Sequence, residues 1–285
     1  MTWGKWLKVV LLLAPGLGLI LVFIGMVIYI AIAQSFGYYN LSGNSAFSLA
    51  YWAKMLGRAT YQRAIGYSLY VGVTSAFLSV ALAYPLAIWL RRPFAGSNAI
   101  SAILKAPLLV HGLVAAFLFI NIISYNGIIN QFMQWIGIWS GPHRLQNDSN
   151  AIGILVLQVW KNMPFALLLL TGAVRSISDD VLGAAADLGA GPFDRFRRII
   201  APLCVSATQA ALIIIFINAL GDFSFQIIAG PVNKQSLSQL MVFFKGYGRW
   251  NDAATVAVTL MGLAIAGSGI MALTSRFVLR GGRLS

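Results

Sequence analysis

The sequence is poor in the residues that build catalytic and metal sites. Its 285 residues include seven aspartates, no glutamate, two histidines and one cysteine. A single cysteine excludes an intrachain disulfide and a cysteine-based metal site. His111 and His143 are far apart in sequence and have no neighbouring ligand residues. Because paired carboxylates and His/Cys clusters are also missing, we expect no catalytic residue, metal or cofactor site in this chain.

Charge is scarce as well. Charged residues make up 9% of the chain, hydrophobic residues 59%, and the mean hydropathy is +0.80. Soluble domains carry about 25% charged residues, so this composition indicates an integral membrane protein. The net charge of +13 comes from basic residues that flank apolar runs. This placement favours anionic lipid head groups, and not nucleic acid, as the partner.

Six apolar runs reach the length of about 20 residues that a membrane helix needs. They predict an all-α membrane protein with six transmembrane helices in one polytopic domain, residues 1–285. The first run exceeds a signal-peptide core, so we expect it to stay as an anchor. With both termini cytoplasmic, eleven Lys and Arg residues lie inside and seven outside, as the positive-inside rule requires. The runs are roughly 9–34, 66–90, 100–124, 151–174, 203–229 and 252–275.

A polar stretch, residues 175–202, separates two of these runs and lies in the cytoplasm under this topology. Ser176 and Asp179 predict an approximate capping box at the start of a helix. Gly189 can end that helix in the left-handed conformation, and Pro192 suits the first turn of a second helix. The pattern predicts a helix–turn–helix that meets a soluble partner.

This stretch resembles the EAA motif of binding-protein-dependent ABC importer permeases: Glu-Ala-Ala, three residues, Gly, nine residues, Ile, one residue, Leu-Pro. The matches in register are Ala184, Ala185, Gly189, Ile199 and Pro202. Gly183 and Ala201 stand where the motif has Glu and Leu, and Asp187, one turn later, is a candidate substitute for the missing Glu. The resemblance implies a coupling helix that inserts into a groove on an ATP-hydrolysing subunit. The coupling residues that it implies are Gly183, Ala184, Ala185, Asp187, Gly189, Phe193, Arg197 and Pro202.

Shorter segments resemble the branch of this family that serves polyamines, ferric iron and aminoalkylphosphonates. They are residues 126–130, 160–165 and 221–223. The resemblance covers a permease core of residues 60–275 and implies the type I ABC importer permease fold. After residue 223 the sequence departs from polyamine permeases. The implied substrate is a small polar solute, polyamine-like, iron or an aminoalkylphosphonate.

Polar residues within the apolar runs are candidates for the translocation path or a gate, because an unpaired Asp at a helix centre costs roughly 2.5–3.5 kcal/mol. Asp222 is the only acid in a predicted span and lies about 28 Å along it, near the outer face. It is either an outer gate or a solvated interfacial residue. Lys161 can snorkel or pair with an acid. The candidates are Asp222, Gln226, Asn121, Tyr125, Trp160 and Lys161.

The chain has no Gly-rich phosphate loop, so we expect ATP and Mg to bind to another polypeptide. The family resemblance implies two ATP-binding subunits, a second permease subunit that is similar or identical, and a periplasmic substrate-binding protein. It also implies a multi-pass location in the bacterial inner membrane. The alternative is a secondary transporter driven by an ion gradient, which would normally show more charges at mid-bilayer and broken helices in two matching halves.

Overall fold

The computed structural model describes residues 3–40, 45–143, 145 and 148–280, and within these residues all regular secondary structure is helical. A 3-10 turn covers Ala106–Leu109, and a π-helical turn covers Phe196–Ile200. The α-helices are α1 (Trp3–Ser35), α2 (Ala50–Leu56), α3 (Ala59–Trp89), α4 (Ser97–Lys105), α5 (Gly112–Ile123), α6 (Ile128–Trp135), α7 (Ile152–Arg175), α8 (Asp179–Asp187), α9 (Pro192–Arg195), α10 (Ala201–Leu203), α11 (Val205–Gly221), α12 (Ser224–Ala229), α13 (Leu237–Gly246) and α14 (Trp250–Arg280).

Five helical segments are long and apolar enough to cross a membrane, and a sixth qualifies if a bent pair is one span. The pair, Pro192–Leu203 and Val205–Gly221, is bent by 74°. Four of the predicted spans, 9–34, 66–90, 151–174 and 252–275, coincide with uninterrupted helices, which confirms the all-α membrane class. The five segments are Leu11–Ser35, Ala59–Trp89, Gly112–Trp135, Ile152–Arg175 and Trp250–Thr274.

The third predicted span, 100–124, is wrong as a continuous helix. The chain leaves α4 at Lys105, passes through the 3-10 turn and has extended backbone at Val110, where ψ is 125°. Pro107 lies in that turn and has no N–H to donate to a preceding helical carbonyl. The apolar segment therefore starts at Gly112 and continues through α5 and α6.

The fifth predicted span, 203–229, is also interrupted. The α11 helix ends at Gly221, and Asp222 has extended backbone with φ −67° and ψ 124°. A short helix, α12, starts again at Ser224. Asp222 therefore lies at a helix break and not inside a membrane helix.

The chain divides into two compact units, Met1–Tyr61 with Leu240–Thr259, and Gln62–Gln239 with Leu260–Ser285. In the first unit, buried Asp252 accepts hydrogen bonds from Lys54 Nζ (3.1 Å) and Arg249 Nε (2.6 Å). Through Lys54, these bonds join the start of α14 to α2.

In the second unit, α3, α7 and α11 form the hydrophobic core. Its fully buried side chains include Leu170 and Phe216. A methyl group added to Gly72 would lie 3.1 Å from the Phe216 ring, and one added to Gly267 would lie 2.5 Å from it. The ring is thus held between two glycines, as expected where small residues let helices approach closely.

Replacing Gly267 with alanine should lower the melting temperature of the detergent-solubilised protein. The new methyl group would overlap the buried Phe216 ring, and overpacking of this kind costs about 1–3 kcal/mol. Gly269→Ala is the matched control on the same helix, since an added Cβ there meets nothing within 4 Å. Equal melting temperatures for the two variants would contradict the close approach at Gly267.

Candidate functional site

Residues 175–202, here called the coupling loop, form the predicted helix–turn–helix. At the end of α8, the Gly189 N–H donates to the Ala186 carbonyl and the Ala190 N–H to the Ala185 carbonyl, each at 2.9 Å. Gly189 has φ +85°, so these bonds make a Schellman turn with glycine in the left-handed position. Pro192 then opens α9. The predicted roles of Gly189 and Pro192 in the local fold are confirmed.

The predicted capping box is wrong. The residue before α8 is Ser178, which makes no side-chain cap, and the Ser176 hydroxyl donates to the Ala173 carbonyl at 2.8 Å. Asp179 accepts instead from Arg91 (2.6 Å) and Arg92 (3.1 Å) at the end of α3. Hydrogen bonds from Arg92 and Arg91 lower the pKa of Asp179 below its usual value.

Arginines tie the coupling loop to the ends of two long helices. Arg91 Nε donates to the Val174 carbonyl at 3.3 Å, and another nitrogen of Arg91 donates to the Ile177 carbonyl. Arg175 reaches back to the Leu90 carbonyl at 2.8 Å. The carbonyls at the end of a helix lack intrahelical partners, and the guanidinium groups satisfy them. These bonds therefore join the coupling loop to the ends of α3 and α7.

The outer surface of the loop carries two large exposed apolar side chains among its charged residues. Leu182 packs into the core, while the Leu188 side chain is 90% exposed and that of Phe193 72%. Exposed apolar side chains of this size on the same polar loop favour a contact surface for another protein. Of the predicted coupling residues, Gly183, Ala184, Asp187, Gly189, Phe193 and Arg197 are exposed, and Ala185 and Pro202 are half-buried.

A polar turn in α7 holds both broken segments of the second unit. Lys161 Nζ donates to the carbonyls of Pro107 (2.7 Å) and Val110, at the break between α4 and α5. One turn earlier, Gln158 Nε2 donates to Asp222 Oδ2 at 3.1 Å, at the break between α11 and α12. Lys161 thus does not pair with Asp222; it donates to backbone carbonyls at the helix break.

Asp222 is the centre of a hydrogen-bonded cluster. Its carboxylate accepts from the backbone N–H of Phe225 at 3.1 Å, in the first turn of α12. Its carbonyl accepts from Ser238 Oγ at 2.7 Å. Asp222 therefore joins the broken span to α7 through Gln158 and to the start of α13 through Ser238.

The other predicted path residues are Gln226, Asn121, Trp160 and Tyr125. Gln226 is buried and accepts from the Tyr67 hydroxyl at 2.8 Å through Oε1. Asn121 donates to the Phe117 carbonyl of its own helix at 2.8 Å. Trp160 and Tyr125 are exposed. Within the described residues, Asn121 and Tyr125 make no hydrogen bond to the Asp222 cluster.

Two members of the cluster were not among the predicted residues. Gln158 and Asn162 are both buried, and Asn162 Nδ2 donates to Gln158 Oε1 at 2.9 Å. Their spacing of four residues within an apolar run was the available signal, because it places both amides on one face of the helix.

These features define a polytopic helical membrane protein that exposes one helix–turn–helix loop. Residues 79–278 match the family described as binding-protein-dependent transport system inner membrane component, and the chain belongs to this family. The matched range contains the coupling loop, the polar turn of α7 and Asp222. The family match supports the interpretation as an inner-membrane component of an ABC importer. It does not support the alternative of a secondary transporter driven by an ion gradient.

Two curated relatives agree with this assignment. The thiamine transport system permease protein ThiP of Brucella abortus (strain 2308) is 29% identical over 206 residues, which cover 71% of this chain and 37% of that protein. This chain therefore spans little more than a third of ThiP. The spermidine/putrescine transport system permease protein PotB of Salmonella typhimurium (strain SL1344) is 25% identical over 224 residues, 77% of each protein.

A solved structure shows the same fold. It is the crystal structure of a bacterial ABC transporter involved in the import of the acidic polysaccharide alginate. One of its chains matches with a TM-score of 0.79 and 18% sequence identity, and the match covers 96% of each chain. The expected ABC importer permease fold is thereby confirmed, while the orientation of the termini stays a prediction.

Proposed function

We propose that this chain is the membrane-spanning subunit of an ATP-driven importer and forms one half of a translocation path. Its family membership is the observation that carries the proposal. The exposed coupling loop supports it, because an apolar surface on a helix–turn–helix is suited to dock on a soluble subunit. Two ATP-binding subunits would bind ATP and Mg, and this chain would have no catalytic role.

The remaining partners follow from the same assignment. A second permease subunit, similar or identical, would complete the path, and a periplasmic binding protein would deliver the solute. Closure of the ATP-binding subunits would pull on the coupling loop, and the arginine bonds from Arg91 and Arg175 would carry that pull to α3 and α7. Alternating access requires helices with two packings, which the break at Asp222 favours.

The proposed substrate is a small polar solute, polyamine-like in chemistry. Support comes from the substrates in the names of the two relatives, thiamine and spermidine/putrescine, which are organic cations. Oδ2 of the Asp222 carboxylate already accepts from Gln158 and from the backbone N–H of Phe225. We therefore assign it to an outer gate and leave the choice of solute mainly to the binding protein.

Reconstitution tests the proposal. The chain is co-expressed with its ATP-binding and second permease subunits and placed in proteoliposomes together with the binding protein. We expect labelled spermidine or thiamine to be transported only with ATP on the side of the coupling loop. Transport by this chain alone, driven by a proton or sodium gradient without ATP, would overturn the proposal.

Cysteine labelling tests the orientation. A cysteine at Ser140 should react with an impermeant maleimide in intact spheroplasts, and one at Asp194 only after permeabilisation. Both positions are exposed, and the native Cys204 is buried, so its thiol should stay unlabelled. The reverse pattern would place the coupling loop outside and remove the contact with the ATP-binding subunits.

A further inference from the structure

The coupling loop borders a cleft lined by three arginines, and an acidic residue of the chain pairs with two of them. The cleft has a volume of about 540 Å³ and lies between the end of α3 and the loop. Arg91 and Arg92 share a single oxygen of Asp179. Among the residues that line it are Trp89, Arg91, Arg92, Gly183, Ala186 and Arg195.

Arg195 has a guanidinium nitrogen without a hydrogen-bond partner among the described residues. Its Nε atom is buried, and no acceptor in the described part of the chain is within hydrogen-bonding distance. The adjacent acid, Asp194, pairs instead with Arg198 at 3.4 Å. Buried donors in native proteins are almost always satisfied. Arg195 also lines the cleft and is only half-buried, so its guanidinium group is suited to an anionic group that comes from outside this chain.

Gly183 leaves the cleft open beside these arginines. A Cβ atom added to Gly183 would meet nothing within 4 Å, so a longer side chain has free space there. The motif that the loop resembles has Glu at this position, and a glutamate here would supply negative charge from the chain itself. With glycine, the cleft keeps its positive charge.

We propose that this cleft binds a carboxylate side chain of the ATP-binding subunit, with Arg195 as the principal contact. In the motif the permease supplies the negative charge of this contact, through its Glu. Here the permease would supply the positive charge, and the ATP-binding subunit the negative one. A protein occupant is favoured over a lipid head group, since Arg195 lies on α9 beside the exposed Phe193. The inference rests on the proposed function, in which an ATP-binding subunit docks here.

The test compares a charged side chain with an uncharged side chain of the same size. The permease subunits are purified in detergent, and the dissociation constant for the purified ATP-binding subunit is measured at low salt. Gly183→Glu should bind at least about tenfold more weakly than Gly183→Gln, because its carboxylate occupies the arginines. Arg195→Gln should also weaken binding about tenfold, whereas Arg198→Gln should change it less than about twofold, as for an exposed pair.

Charge reversal identifies the partner group. Arg195→Glu should lose binding, and one Asp or Glu of the ATP-binding subunit, changed to Lys, should restore it. Equal affinities for Gly183→Glu and Gly183→Gln, or an unchanged affinity for Arg195→Gln, would overturn the inference while the wild-type complex still forms. Failure of the wild-type complex to form would instead contradict the proposed function.

Vesicles separate the protein occupant from a lipid. ATPase stimulation by the wild type and by Arg195→Gln is compared in phosphatidylcholine vesicles with and without one-third phosphatidylglycerol. A carboxylate from the ATP-binding subunit predicts the same loss in both. A loss confined to the vesicles with phosphatidylglycerol would assign the cleft to a lipid phosphate and overturn the proposal.

Discussion

Replacing Gly189 with valine is expected to abolish most ATP-driven uptake while the protein still accumulates in the membrane. Gly189 has φ +85° and closes the Schellman turn of α8. A β-branched residue in this conformation costs about 1–3 kcal/mol. We expect the turn to rearrange and move Phe193 away from its docking position. Uptake in whole cells, normalised to the membrane level of the protein, measures the effect.

Two variants show whether the conformation of the backbone is responsible. Gly191→Val changes a glycine in the same turn, where φ is −65° and an added Cβ meets nothing within 4 Å, so uptake should be close to wild type. Gly189→Asn should keep more uptake than Gly189→Val, because asparagine tolerates the left-handed region. Normal uptake by Gly189→Val at normal protein level would show that the turn does not couple ATP hydrolysis to transport.

Local signals in the sequence were sufficient for the coupling loop and for four spans. The turn between α8 and α9 depends on Gly189 and Pro192, which act on their own backbone and therefore have the same effect in any context. The four confirmed spans are long apolar runs, for which length and composition decide the structure. The family resemblance came from the same loop.

Long-range contacts explain what the sequence could not show. Asp179 was expected to interact with Ser176, but it binds arginines 88 and 87 residues away in the chain. The two broken spans are similar cases, since Lys161 satisfies carbonyls more than 50 residues away and Gln158 binds Asp222 across 64 residues. A window of apolar residues contains no information on such partners.

The polar turn of α7 therefore has a larger role than its sequence suggested. Within two turns of one helix, Gln158 holds the break at Asp222 and Lys161 holds the break at Pro107–Val110. Helix breaks at membrane depth are tolerated only where their backbone groups are satisfied by protein or water. A rigid-body movement of α7 would consequently displace both breaks together.

Asp222→Asn is expected to raise the basal ATPase activity of the complex without binding protein, and to lower uptake. Asparagine keeps one accepting oxygen for Gln158 and Phe225 but removes the negative charge from this junction. A hydrogen bond to a charged group contributes about 1.5–3 kcal/mol, whereas one between neutral groups contributes about 0.5–1.5 kcal/mol. The break should then open more easily, and ATP hydrolysis should proceed without a delivered solute.

Asp148→Asn provides the matched control for this prediction. Asp148 also caps a helix, since its carboxylate accepts from the backbone N–H groups of Ile152 (2.7 Å) and Gly153 (3.1 Å) at the start of α7. Loss of a helix cap alone should destabilise both variants to a similar extent. A rise in basal ATPase activity for Asp222→Asn but not for Asp148→Asn would therefore assign the effect to the junction with Gln158. If Asp222→Asn leaves both basal ATPase activity and uptake unchanged, Asp222 stabilises the helix break but does not gate the path.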